Sequence, residues 1–325
     1  MLADLARRDV VAFDLFGDVD LAGRRRTGAS LTALVDAALA EPRGEVVYGA
    51  SFENHPALVE RLAERHTLLG NSPATLRAVR DPERLRAFSS PRMTFTEPSS
   101  GRWVCKPLRG GGGIRVRDWS SGAIPAGTYL QEHTDGLACS AAAVGNGRDA
   151  VVAGLTEQLI GLRAFGVGGY RWCGNIVTPM PAGLLEQARE ICSGLAGTFG
   201  LRGLFGVDFV WDGQTAWTLE VNPRPTASLE AIEAAYGIDV FEAHLSGCAG
   251  ELPRVDPTFL RPAGKAVLFA TQDVVVGELR GVRDIPHPGE RIAAGRPICT
   301  LVTAEKDPLA DLTAQAAGLC MEVPA

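Results

Sequence analysis

Three short stretches of the chain hold side chains whose types and spacing could carry chemistry. The first is TLEVNPRPTAS at 218–228, an apolar strand that ends on a carboxylate, an amide and an arginine. Side chains alternate across a strand, so Glu220 and Asn222 share one face while Leu219 and Val221 take the other. The second is GVDFV at 206–210, where Asp208 follows the same alternation. If these strands form a hairpin with Asp208 near Glu220, three oxygen ligands converge: Asp208, Glu220 and Asn222. Carboxylate and amide oxygens suit a hard cation such as Mg²⁺, with Mn²⁺ as a substitute, and such ions commonly bridge protein carboxylates to substrate phosphates. Arg224, restrained by Pro223 and Pro225, is suited to hold a carboxylate or oxyanion beside that metal.

The third stretch is CKPLRGGGG at 105–113. Four consecutive glycines, Gly110, Gly111, Gly112 and Gly113, cost conformational entropy and contribute no packing. A chain accepts that where its backbone must come close to something, and bare N–H groups cradle phosphates. Lys106 ends the preceding strand and would aim its ammonium at the loop's cargo. The spacing does not fit the Walker pattern G-x-x-x-x-G-K-[ST]. Of 32 basic residues only Lys106, Lys265 and Lys306 are lysines. The rarity gives Lys106 weight, because ammonium and guanidinium differ in shape and hydration. The plainer alternatives are a glycine-rich hairpin loop and a strand that stops at Asn-Pro.

These side chains need a scaffold, and the pattern of elements supplies one. ADLARR reads as the end of a helix, DVVAFDLFG and GEVVYGAS as buried strands, and SLTALVDAALAE and HPALVERLAER as amphipathic helices. Strands alternating with helices imply a parallel sheet in this part. Asp14, Asp18 and Asp20 follow one of its strands, and Ser51, Glu53 and Asn54 the next, where ligands of open α/β sheets bind; polar loops facing water are the alternative. Further along come the strand RWVCKPL, a return strand RVRDW, the strand GTYLQEHTDG and two strands joined by Gly-Asn-Gly at 145–147. The helix GLLEQAREICSGLAGTFGL precedes the hairpin of LFGVDFVW and AWTLEVN. Residues 262–303 are strand-rich and punctuated by Pro and Gly. Three units follow: an α/β unit at 1–70, a central unit at 71–250 and a β-rich unit at 251–325.

Composition narrows the function classes. Apolar residues make up 46% and charged ones 22%, as in ordinary globular proteins. The net charge is −6 with scattered basic residues, which argues against a nucleic-acid partner. No run approaches about 18 apolar residues and no signal peptide opens the chain, so a cytoplasmic protein without a membrane span is expected. Seven cysteines stand singly with no C-x-x-C pair, which indicates neither a zinc knot nor a disulfide framework.

Taken in order, CKPLRGGGG, YLQEHTDG, GVDFV and LEVNPRP resemble the ATP-grasp superfamily. GNSP, TEQLIG, CGNI and EVNPRPTAS are similar to an uncharacterised carboxylate–amine ligase-like branch related to biotin carboxylase. The resemblance implies a mixed α/β and α+β fold: a Rossmann-like pre-ATP-grasp domain, an ATP-grasp domain and a small β-rich covering subdomain. It implies that ATP lies between two subdomains, with Lys106 on its phosphates and Gly110–Gly113 as a flap. Gln131, Glu132 and Thr134 would line the adenine pocket mostly through backbone groups. Asp208, Glu220 and Asn222 would bind magnesium, and Arg224 would steady the acyl group, making Arg224 and Lys106 the catalytic pair. The implied reaction phosphorylates a carboxylate, lets an amine displace phosphate, and releases ADP. Small-molecule acid and amine substrates, a homodimer, and a step in assembling a methanofuran- or methanopterin-like one-carbon cofactor are the further implications.

The pattern also has gaps. Between 71 and 100 there is no second lysine, and Arg77, Arg80, Arg84 or Arg86 would have to replace it. The place of a ribose-binding glutamate, near 138, holds Ala138. For the substrates, Glu53 and Asn54 are candidates, as are Arg171 and Asn175 in the segment GVGGYRWCGNI, which forms either a lid or a packed corner. Carboxylation through carboxyphosphate and a nucleotide-binding scaffold without turnover are the alternatives to the ligase.

Overall fold

Alternation of large and small apolar side chains between 137 and 222 builds the central sheet, and everything that positions the candidate site hangs from it. The computed structural model describes residues 9–21, 23–255 and 259–319. The helix end expected at ADLARR lies outside the described residues. In the N-terminal part, β1 (Val11–Asp14) pairs in parallel with β2 (Arg24–Thr27), and β3 (Glu45–Val46) pairs in parallel with β4 (Thr67–Leu68). The helix Pro56–Arg65 is the crossover that the second parallel pair requires. Phe13, Val35, Ala38, Val46 and Leu62 pack together beneath the helix Leu31–Ala40.

A four-stranded antiparallel sheet follows, formed by β5 (Met93–Thr94), β6 (Trp103–Pro107), β7 (Arg117–Trp119) and β8 (Thr128–Glu132) in the order β5-β8-β6-β7. The larger sheet has seven antiparallel strands. They are β9 (Leu137–Asn146), β10 (Ala150–Ile160), β11 (Trp172–Val177), β12 (Arg202–Trp211), β13 (Ala216–Asn222), β14 (Ala263–Phe269) and β17 (Pro297–Thr303), with the short pair β15 (Val274–Val275) and β16 (Arg291–Ile292) set apart. The order is β13-β12-β9-β10-β11-β14-β17. The C-terminal stretch therefore does more than cover: β14 pairs with β11 and extends the central sheet.

Strand alternation gives this sheet two buried faces. Cys139, Ala141, Ala143, Phe205, Val207 and Phe209 pack with the helix Ala182–Phe199. Ala142, Val144, Val177 and Leu204 pack with the helices Leu229–Tyr236 and Val240–Ala249. Fully burying a side chain such as Phe205 or Leu195 contributes about 1.5–3 kcal/mol, which makes the sheet a rigid platform. Buried His244 links the layers, with its Nδ1 accepting from Leu204 N at 2.9 Å and its Nε2 3.1 Å from Leu69 O. Burial lowers its affinity for a proton, against the opposing hydrogen bond to Leu69 O.

Candidate active site

Between the two larger sheets lies a cavity of about 500 Å³. One wall is Val104, Lys106, Tyr129 and Gln131 from β6 and β8; the other is Asp208, Val210, Leu219 and Glu220 from β12 and β13. The hairpin register pairs Asp208 directly with Glu220, and Gly206 with Asn222. The two carboxylates thus share a face as the period of two expects. Asn222 ties them to the strand end: its Nδ2 donates to Asp208 Oδ2 at 3.2 Å. Gln158 of β10 donates to the other oxygen, Oδ1, at 3.0 Å. Burial first, and then the facing Glu220 carboxylate, push the Asp208 carboxyl up to about 7.

Lys106, Arg224 and the Asn222 hydrogen bond pull the other way without cancelling the push. Among the described residues no cluster of three or more His, Cys, Asp or Glu side chains forms a metal centre. The two carboxylates line the cavity, with the buried amide of Asn222 next to them, and such oxygens could serve a hard ion that takes its remaining ligands from a bound molecule. On the opposite wall Lys106 Nζ donates to Gln131 Oε1 at 3.0 Å and to Leu219 O at 3.3 Å. Gln131 is only 3% exposed, and its Nε2 has no partner among the described residues. A buried donor of this kind, on a cavity wall, fits a ligand acceptor. Glu132 and Thr134 also line the cavity, while the Glu132 carboxylate is tied to Arg92 at 2.5 and 2.7 Å. Ala138 lines it as well, and no acid stands in its place.

A second layer of charge lies behind the acids. Glu53 is buried in the 3₁₀ turn Phe52–Asn54 and accepts from Arg224 Nε at 3.0 Å and Nη2 at 2.7 Å. Burial alone would raise its carboxyl, but the Arg224 hydrogen bonds and the Arg224 and Arg80 charges outweigh it and hold the group below the usual carboxylate range. Arg224 donates further to Pro225 O and, at 3.4 Å, to Asn222 Oδ1. The corner itself is fixed by buried Asn71, whose Nδ2 donates to Pro223 O at 2.9 Å. Arg80 closes the network, with Nη1 2.5 Å from Glu220 Oε1 and Nη2 3.3 Å from Glu53 Oε1.

Of the four arginines that were candidates for the absent lysine, only Arg80 reaches the cavity wall. Arg77 pairs with Glu60 and Arg86 with Glu83 at the surface, and Arg84 stacks over Phe199. Asn54, expected to meet a substrate, clamps the glycine loop instead: it accepts from Gly110 N and donates to Gly110 O, both at 3.2 Å. The loop is further held where Trp172 N donates to Gly112 O at 3.1 Å. Gly113 lies against Tyr170, with φ +70°, and a Cβ there would sit 1.8 Å from Tyr170 O. That approach is what the glycine permits.

Two expected substrate residues lie elsewhere. Asn175 is buried on β11, donating to Thr156 Oγ1 at 2.7 Å and Ser140 Oγ at 3.4 Å and accepting from Trp172 Nε1 at 3.0 Å. Its amide is consumed inside the sheet. Arg171 donates to Gly295 O at 2.6 Å and stacks over Phe269, 4.4 Å from the ring centroid, so it belongs to a packed corner with the C-terminal stretch. Its neighbours Gly169 and Tyr170 are the residues of that segment on the cavity wall, the Tyr170 hydroxyl donating to Asp118 at 2.6 Å. Gln158 and Asn71 were not singled out from the sequence, although both stand in stretches, TEQLIG and GNSP, that carry the resemblance.

The fold and this site define the class. Residues 79–228 match the family model of the ATP-grasp domain, and the chain has the ATP-grasp fold. Among curated proteins it is similar to formate-dependent phosphoribosylglycinamide formyltransferase of Mycolicibacterium smegmatis, 34% identical over 117 residues, which are 35% of this chain and 29% of that protein. The enzyme of the same name from Burkholderia pseudomallei is 37% identical over 106 residues, 33% of this chain and 26% of that protein. The matched stretch thus spans less than a third of these relatives. Among solved structures, the biotin carboxylase domain of Hydrogenobacter thermophilus 2-oxoglutarate carboxylase, a dimer in complex with MgADP, ADP and bicarbonate, has a TM-score of 0.68 at 15% identity. The alignment covers 94% of this chain and 83% of that one. A putative ATP-grasp superfamily protein from Archaeoglobus fulgidus has a TM-score of 0.59 at 17% identity, covering 88% and 83%. Among the described residues no helix is long and apolar enough to cross a membrane.

Proposed function

We propose that the protein is an ATP-dependent, Mg²⁺-requiring ligase that activates a carboxylate as an acyl phosphate and joins it to an amine. The observation that carries this reading is the facing of Asp208, paired with Glu220, against Lys106 and unsatisfied Gln131 across one cavity. In this reading ATP occupies the cavity, with its base near Gln131, Glu132 and Thr134. Its phosphates lie between Lys106, the Gly110–Gly113 loop and the two acids. Asp208, Glu220 and Asn222 would hold the metal, which when bound neutralises charge spread over the phosphoryl oxygens.

Lys106 supplies a fixed positive charge where negative charge accumulates, in a site walled from water. A substrate carboxylate oxygen attacks the γ-phosphorus as the bond to the β-phosphate oxygen breaks, releasing ADP. The amine nitrogen then attacks the acyl carbon, phosphate leaves, and the amine's proton passes to the departing phosphate. Arg224, held by Glu53 beside Asn222, is the cation placed to meet the acyl group. The glycine loop, clamped by Asn54, keeps water from the labile acyl phosphate. A small acid and a small amine are its partners, and assembly of a methanofuran- or methanopterin-like cofactor is the setting we propose for it.

The reading is tested by measuring ADP and phosphate release from Mg-ATP across paired panels of acids, formate and bicarbonate included, and amines, with mass spectrometry of the products. Release that needs both partners and yields a condensed product supports the ligase. Release with bicarbonate alone would make it a carboxylase, and nucleotide binding without turnover across the panel would make it a scaffold. The loop gives a second expectation. Gly113→Ala should weaken Mg-ATP binding about tenfold or more, equivalent to about 1.4 kcal/mol, because the Cβ collides with backbone. Gly112→Ala, at φ +59° with open space around it, should cost only the left-handed strain of about 1–2 kcal/mol in stability. Titration calorimetry on both variants decides; equal affinities would show that the loop does not touch the nucleotide.

A further inference from the structure

The Arg80 side chain joins three parts of the site: Glu220, Glu53 and the glycine loop. It is the C-cap of the helix Pro73–Val79, so its backbone is fixed, and its side chain is 15% exposed. Nη1 sits 2.5 Å from Glu220 Oε1, Nη2 reaches Glu53 Oε1 and Gly110 O at 3.3 Å each, and Nε is buried without a partner among the described residues. The short contact falls on Glu220, one of the two acids assigned to the metal.

We infer that Arg80 is a built-in counter-cation: it occupies Glu220 in the ligand-free protein and gives the carboxylate up when the metal arrives. This rests on the metal site of the proposed function. The charge balance supports it. In the ligand-free site Arg80 and Arg224 match Glu220 and Glu53, so the buried cluster is close to neutral. A divalent cation entering at Asp208 and Glu220 makes the guanidinium superfluous there, and like charges at this range repel strongly in a partly buried site. Turned off Glu220, Arg80 carries its charge toward Gly110 and the phosphates. Its unpartnered Nε is then a further donor for them. Metal binding and phosphate binding are in this way coupled through one side chain: each makes the other tighter, and the coupling is reciprocal. The planar fork of arginine suits this double duty, because it spans a carboxylate and a backbone carbonyl in one geometry; a lysine ammonium meets one of them at a time.

The test is Mn²⁺ binding followed by electron paramagnetic resonance, with no nucleotide and then with ADP, for the wild type, Arg80→Gln and Arg80→Lys. Without nucleotide, Arg80→Gln should bind Mn²⁺ about tenfold or more tightly than the wild type, since the competitor is gone. Arg80→Lys should fall between. With ADP present the advantage should shrink, because the variant has also lost a phosphate-side cation. A site whose Mn²⁺ affinity is unchanged or lower in Arg80→Gln, yet abolished by Asp208→Asn, would overturn the inference and leave the metal reading intact. If Asp208→Asn has no effect on Mn²⁺ binding in any background, the metal reading falls and the inference with it. Thermal midpoints of both Arg80 variants verify folding, and Arg80→Lys keeps the test open should Arg80→Gln unfold.

Discussion

Replacing Glu53 by glutamine is expected to lower the stability of the protein by about 3–5 kcal/mol at neutral pH, seen as a fall of roughly 10 °C in the thermal midpoint. Glu53 is 1% exposed as a side chain, and its two arginines are 15% and 12% exposed. Glutamine keeps the shape but removes the charge that Arg80 and Arg224 share, leaving two largely buried guanidiniums of which Arg80 keeps an acid partner, Glu220, and Arg224 loses its own. The pH dependence follows from the direction of the shift. A carboxyl held below its ordinary 4.5 contributes stability above that value and loses it as pH falls through the folded-state pKa. The gap between wild type and Glu53→Gln should therefore be full at pH 7 and close only under acid conditions. The exposed pair Arg61–Asp36, at 2.7 Å, is the control: Arg61→Gln should cost under about 1 kcal/mol. A midpoint for Glu53→Gln within 2 °C or so of the wild type would show that the network is not what holds the N-terminal unit to the Asn222–Arg224 corner.

That network shows how far the sequence could be read and where reading stopped. The facing of Asp208 and Glu220 was legible because it needs only strand alternation and a hairpin, both local. The glycine loop was legible because four glycines in a row have few other uses. Arg80 was one of four equivalent arginines; what distinguishes it is a contact with Glu220 across 140 positions, which no local pattern carries. The pairing of the Asn54 amide with both backbone groups of Gly110, 56 positions away, is likewise a matter of tertiary distance. Asn175 carried a usable signal that was overlooked. In WCGNIV it alternates with Cys173 and Val177, an apolar pair, and a polar side chain on that face is a buried one with protein partners. The C-terminal stretch looked like a separate cover because its Pro and Gly residues break it up, but β14 is a mostly apolar strand whose one charge, Lys265, is paired with Glu230, and strands join whichever edge is open. β11 offered that edge.

Asp208→Asn should abolish turnover, by about a thousandfold or more, and yet make the ligand-free protein more stable above neutral pH. The two effects have one cause. Asp208 is pushed up to about 7 by burial and by Glu220, so the folded state holds a proton that the unfolded chain, at an ordinary 3.8, releases. Where the native state binds more protons than the unfolded one, stability falls as pH rises, here between about 4 and 7, and stays lowered above that. Asparagine carries no charge to bury, keeps an oxygen for Gln158, and removes the repulsion facing Glu220. Thermal melts at pH 5 and pH 8 should show the variant level with the wild type at the lower pH and about 1–2 kcal/mol ahead at the higher. The wild type should recover that difference on adding Mg²⁺, because a cation at Asp208 and Glu220 replaces the missing proton, whereas the variant should gain little. A site that stabilises the empty protein poorly and the loaded one well is arranged for its ligand; if Asp208→Asn instead loses stability at both pH values, Asp208 is a structural hydrogen-bond partner of Gln158 and Asn222, and the metal must be sought elsewhere.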